Sequence, residues 1–174
     1  MSDKLTITEA LAEVKTLNAR IAKKRQGVAN YLLRDARLRD PMEAEGGVVD
    51  WIKRESQAIG DLEQRIVSIR TAIQRANLQT RLKVGSQTKV IAEWLNWRRE
   101  VADGQKQHLN GLAGQIVNAR RTVQNNKLPD GTHPDLVVHL SEKDLGAQIE
   151  TMEQTLGELD GKLSLLNATT TVEA

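Results

Sequence analysis

The stretch SEKDLGAQIETMEQTLGELDGKLSLL, residues 141–166, decides the fold class. Leu145, Ile149, Met152, Leu156, Leu159, Leu163 and Leu166 follow one another at alternating steps of four and three, so they share one face of an α-helix. A stripe this narrow is the seam of a coiled coil, not the broader apolar face of a globular surface helix. Ser141, Glu142 and Asp144 place an N-cap and acid at its start, where the helix dipole favours negative charge.

Working back along the chain, the same pattern recurs. Ile52, Ile59, Leu62, Ile66, Ile69, Ile73 and Ala76 predict a helix over about 50–82. Thr6 and Glu9 stand at capping-box spacing ahead of Ile7, Leu11, Val14, Leu17, Ile21, Val28 and Leu32, which predicts a first helix over about 6–39. Asp40-Pro41 and Gly46-Gly47 end it, because the residue before proline is pushed out of the helical region. Gly85-Ser86 reads as a short turn between antiparallel helices, with Ser86 as the N-cap of a third helix over about 86–125. Leu109, Leu112, Ile116, Ala119 and Val123 form its seam, while Gly104, Gly111 and Gly114 weaken it and suggest a kink or a close helix contact. Asn125-Asn126 and Pro129-Asp130-Gly131 then break the chain, and residues 136–140 (LVVHL) read as a short strand or an extended cover. The expectation is an all-α chain: one helical domain over 1–174, an elongated antiparallel four-helix bundle with coiled-coil-like seams, and a loop or small β element near 126–140.

Composition agrees with thin seams. The chain has no Phe, one Tyr and three Trp, so its apolar content is mostly aliphatic. It has no Cys, which removes disulfides, thiol nucleophiles and thiolate metal sites. No window approaches the apolar length of a signal peptide or a membrane span, so no membrane partner is expected. Net charge is +2, unevenly spread: the first forty residues are rich in Lys and Arg, whereas the stretch from 141 onward is acidic. Opposite ends of opposite sign can pair within a bundle or between neighbouring copies.

Two helix ends echo each other. Ile69, Ile73, Asn77 and Thr80 have the spacing of Leu159, Leu163, Asn167 and Thr170. A repeated C-capping device, with Asn in the left-handed region, is the plainer reading; a duplicated helical hairpin or a shared binding surface is the other.

That echo, with Glu9-Ala10-Leu11, Leu17 and Arg20-Ile21, resembles the septicolysin-like family of small bacterial helical proteins. Ala76-Asn77-Leu78-Gln79-Thr80 and Asn167-Ala168-Thr169-Thr170 carry the same likeness. Residues 5–11 (LTITEAL) and 94–101 (WLNWRREV) are also similar to helical proteins encoded among the structural genes of tailed phages. The resemblance implies a virion component.

Little in the chain points to chemistry. His108, His133 and His139 are scattered, and the two loop histidines with Asp130 and Asp135 match no closed metal-site spacing. No nucleophile elbow and no phosphate-cradling glycine loop occur. The expectation is therefore no enzyme, no catalytic residue, no cofactor and no metal. Candidate contact residues are Arg20, Lys23, Lys24, Arg25 and Tyr31 on the basic first helix, with Trp51, Trp94, Trp97, Arg98 and the 126–140 loop. Clustered cations beside aromatics fit phosphate contacts and base stacking, but the cations circle the helix instead of forming one stripe. The expected partners are further copies or other virion proteins, in a virion or the host cytoplasm. Nucleic-acid binding and a cytoplasmic adaptor or chaperone role are the alternatives.

Overall fold

The structure, a computed structural model, describes residues 4–173. It is mostly helical, with four short strands. In chain order the elements are β1 (Lys4–Thr6), α1 (Ile7–Tyr31), a 3-10 turn (Glu43–Glu45), α2 (Val48–Gln79), β2 (Arg81–Val84), β3 (Gln87–Val90), α3 (Ile91–Trp97), a π-helical segment (Arg98–Ala102), α4 (Asp103–Asn125), α5 (Glu142–Thr169) and β4 (Thr171–Glu173). The chain divides into two compact units: one holds residues up to Asn77 and from Ser164 on, the other Leu78–Leu163.

In the first unit the expected capping box is formed. Glu9 N–H donates to Thr6 Oγ1 at 3.2 Å, and Thr6 N–H donates to Glu9 Oε2 at 2.8 Å. From that start α1 turns Ile7, Ala10, Val14 and Leu17 inward, against Ile69 and Ile73 of α2 and Val172 of β4, and buries Ile21 further along. Leu11 stays exposed, because the buried stripe passes through Ala10 instead. α1 and α2 run antiparallel. As α1 ascends through Glu13, Lys24 and Arg25, its ion-pair partners Arg65, Glu55 and Glu63 lie toward the start of α2. The charge asymmetry is thus met largely by α2; across the two ends of the chain one loose pair is found, Lys4–Glu173 at 3.9 Å.

Helix α1 stops at Tyr31, short of the expected Arg39. Asp35 accepts the N–H of Arg37 at 2.9 Å, a local turn that competes with the helix ladder. Asp40 then accepts the N–H groups of Met42 at 2.8 Å and Val48 at 3.1 Å, which ties the loop to the first turn of α2.

The second unit differs most from expectation. Gly85-Ser86 does not join two helices; it is the tip of the β2–β3 hairpin, with Val84 opposite Gln87 and Arg81 opposite Val90. Gly85 has φ +55°, while every described non-glycine residue has φ below zero. Glycine first in a two-residue turn is the II′ signature. Residues 81–84 alternate exposed and buried, the period of a half-buried strand, so Ser86 caps nothing and helical backbone begins at Ile91. Val90 has no side-chain acceptor; Glu93 Oε2 takes the Val90 N–H at 3.2 Å and forms half a capping box. The third helix is also not uniform, since the π-helical segment separates α3 from α4. None of Gly104, Gly111 or Gly114 has a neighbour where a Cβ would stand, so no close helix contact explains them.

α4 and α5 are also antiparallel: Lys106 pairs with Glu153 and Arg120 with Glu142. The seam of α4 is only half-buried along its length, whereas α5 buries Leu145, Leu159 and Leu163. The connection at 126–141 carries no strand; the small strands lie elsewhere. His133 Nδ1 rests 3.0 Å from Val123 O, at the exposed end of α4, and Asp130 accepts the Thr132 N–H in the adjoining turn.

The echoed helix ends have matching burial. Ile69 and Leu159 are wholly buried, and Ile73 and Leu163 nearly so. Asn77 and Asn167 lie within α2 and α5 with ordinary helical φ, so left-handed capping is not their role. Each helix runs on through Thr80 or Thr170 into a strand. Ile91 N–H donates to Thr80 O at 3.0 Å, and Ile7 N–H donates to Thr170 O at 3.0 Å. Each junction is a helix entering a strand, paired antiparallel with a strand that enters a helix. The two junctions share one pattern, in which Thr6-Ile7-x-Glu9 corresponds to Val90-Ile91-x-Glu93.

Candidate functional site

The basic residues of α1 fall into two groups. Lys24 lies 2.9 Å from Glu55 with both side chains partly covered, and Arg25 lies 2.6 Å from Glu63. These cations hold α1 to α2. Arg20 and Lys23 are exposed on the outer surface of the helix. Tyr31 packs edge-on against Trp51, ring centroids 5.2 Å apart, and Gly27 lets the indole approach the α1 backbone. Both rings are half-buried, so Tyr31 and Trp51 close the α1–α2 pair more than they offer a stacking platform.

In the other unit Trp94 is 2% exposed, which corrects its reading as a contact residue. The structural reason is that its Nε1–H donates to Leu82 O at 3.0 Å, pinning α3 beneath the hairpin. Lys89 Nζ lies 4.8 Å from the same ring, and Trp97 meets it edge-on at 5.6 Å. Trp97 keeps part of its surface open and donates from Nε1 to Gln105 Oε1 at 3.2 Å, across the π-helical segment. Arg98 is engaged by Asp160 of α5 at 3.1 Å.

Around Trp97 lies an open groove of about 850 Å³, walled by the hairpin, the start of α4 and one side of α5. The hairpin supplies Ser86, Gln87 and Lys89; α4 supplies Gln105, His108 and Leu109; α5 supplies Gln148, Thr151 and Met152. Its lining holds no carboxylate. The hairpin wall is held by Glu158, whose Oε2 accepts the Gly85 N–H at 2.9 Å, and by Lys162, which donates to Lys83 O at 2.7 Å. The Lys162 bond first, and then the Gly85 N–H, hold the Glu158 carboxyl below its ordinary pKa.

Of the contact residues named from the sequence, Trp94 and Trp97 line this groove; Lys89, Gln105 and Gln148 were not singled out. The missed signal was RLKV-GS-QTKV: two short alternating runs about a Gly-Ser pair spell a hairpin.

The expected contact residues thus split between the units, with Arg20, Lys23, Lys24, Arg25, Tyr31 and Trp51 in one and Trp94, Trp97 and Arg98 in the other. Among the described residues no three His, Asp or Glu side chains converge as metal ligands, and no helix is long and apolar enough to cross a membrane. No protein-family model, curated protein or solved structure matches the chain.

Proposed function

We propose that the chain is a non-catalytic structural protein, a capsid or tail component of a tailed-phage particle, that binds further copies or other virion proteins through its helices and loops. In its finer form the reading has α1, α2, α4 and α5 working as an antiparallel bundle with coiled-coil-like seams. The observation that carries the assembly role is the placement of exposed aliphatic side chains. Leu32, Leu33, Leu38 and Val49 stand at the connection between α1 and α2; Leu128, Leu136, Val137 and Leu140 stand between α4 and α5. Leu33 is 86% exposed and Val137 is 71% exposed. Aliphatic groups clustered at two loops leave apolar surface in water that a partner would cover. The likeness of residues 5–11 and 94–101 to phage structural proteins supports the particle context.

The test is the mass of the purified chain by light scattering, at low and high salt, with absorbance at 260 and 280 nm. A defined oligomer free of nucleic acid at both salts, weakened by Leu33→Ser and Val137→Ser with unchanged helicity, is the expected result. A monomer at both salts that also fails to bind assembled particles removes the assembly reading.

Exposed Arg20 and Lys23 favour a second reading, nucleic-acid binding. That reading predicts co-elution with nucleic acid at low salt, abolished by Arg20→Glu with Lys23→Glu, and a linear loss of log affinity with log salt.

A further inference from the structure

We propose that the groove around Trp97 is a binding site for a neutral oligosaccharide. This is independent of the assembly role, which rests on the two loops.

The groove lies beside the junction at which the two like patterns differ. At the start of α1, the place matching Trp94 is taken by Ala10, wholly buried in an aliphatic core, and α1 continues without interruption. In the other unit the indole of Trp94 takes that place, and the π-helical segment follows it. An extra residue per turn is costly in an α-helix, and such segments concentrate at functional sites. Here it sits between Trp97 and Gln105, and the two side chains meet across it at 3.2 Å.

The lining selects the ligand class. A volume of about 850 Å³ falls within the range of small-molecule sites, about 300–1,000 Å³. Trp97 offers a half-buried ring that meets Trp94 edge-on and donates from Nε1 to Gln105. The C–H face of a pyranose packs on such a ring as other apolar groups do. Gln87 and Gln148 bring amides with donors and an acceptor, Gln105 an amide whose Oε1 already accepts from Trp97, and Ser86 a hydroxyl; the Thr151 and Thr155 hydroxyls donate to Ala147 O and Thr151 O at 2.7 Å and offer their oxygens as acceptors. A sugar hydroxyl both donates and accepts, so it pairs with either kind of group. The missing carboxylate argues against a cationic ligand. Lys89, the one cationic side chain in that lining, is drawn onto the Trp94 ring, which leaves weak attraction for anions.

The experiment titrates the full chain with maltotetraose, cellotetraose and chitotetraose, following indole fluorescence and side-chain amide resonances. At least one tetrasaccharide is expected to give a saturable response. Its Kd should weaken about tenfold or more in Trp97→Ala and in Gln148→Ala, corresponding to at least about 1.4 kcal/mol. Trp97→Phe should keep most of the affinity, and Trp51→Phe, in the other unit, all of it. Circular dichroism reports whether each variant is folded; Gln148 is exposed on α5, so Gln148→Ala decides if Trp97→Ala is not. No saturable response to any of the three, or one that survives Gln148→Ala, overturns the proposal. So does a response confined to hexaglutamate and suppressed by salt, which would point to Lys89.

Discussion

Trp94 shows how much a single residue settles in this chain. The indole supplies bulk to a core otherwise built from aliphatic side chains, and its N–H joins α3 to the hairpin at Leu82 O. Replacing it by Ala should cost about 3–5 kcal/mol through lost packing, whereas Trp94→Phe should cost about 1–3 kcal/mol by leaving the Leu82 carbonyl unpaired. Urea titration followed by circular dichroism separates the two. The glycines act in the other direction. Gly111 and Gly114 lie in α4 with open space where a Cβ would stand. Gly111→Ala should therefore stabilise the chain by up to about 1 kcal/mol, since no neighbour must move and the helix gains propensity. Gly85 is different. Its φ of +55° strains any side chain, so Gly85→Ala should destabilise the hairpin and lower Tm.

At the scale of the element, carboxylates hold the ends of helices and hairpins. The Glu9 carboxyl is lowered from its ordinary pKa by the Thr6 backbone N–H and then by the Thr6 hydroxyl. Asp40 is lowered by the N–H groups of Val48 and Met42, and Glu158 by Lys162 and the Gly85 N–H. Each is more acidic folded than unfolded, so its stabilising effect is complete above the unfolded carboxylate range, about pH 4. It is lost as pH falls through the lower folded values. Tm should thus be flat from neutral pH to about pH 5 and should fall below that, with Thr6→Ala and Asp40→Asn reducing the slope of the loss. Thr6→Ala should also cost about 1 kcal/mol at neutral pH as a lost N-cap. Calorimetry from pH 7 downward measures both. A Tm that rises on acidification would contradict these assignments.

Across the whole chain, protection should be uneven in a pattern set by burial. The deepest side chains gather at the two helix–strand junctions: Ile7, Ala10 and Ile69 in one unit, Val84, Ile91 and Leu159 in the other. The connections at 32–47 and 126–141 have almost no buried side chain, and α4 has none. Amide hydrogen exchange should be slowest at the two junctions and fastest in the two connections, with α4 exchanging faster than α5. Uniform protection along α4 and α5 would show that α4 is covered by something beyond its own unit. The exposed aliphatic groups of the two connections would be the place to look.

The sequence by itself determined the helical class, most of the apolar seams and the capping box of α1, because these rest on local spacing. A step of three or four decides a helix face wherever it occurs, and Thr6 with Glu9 needs only its own turn to close. The break at Asp40-Pro41 and the echo of the two helix ends were equally legible. The hairpin at 81–90 is written in two short alternating runs about Gly85-Ser86, but that pair reads as a turn between two helices. Tertiary structure alone decided the rest. Lys24 and Arg25 meet carboxylates of α2 because antiparallel packing brings residues far apart in sequence within 3 Å, and no spacing rule contains that. Trp94 is buried while Trp97 stays partly open because the hairpin covers one indole and not the other. The groove exists because three elements converge around Trp97 after a helix gains a π-helical turn. Local periodicity states which face of a helix is apolar; what that face meets is set by the contacts of the folded chain.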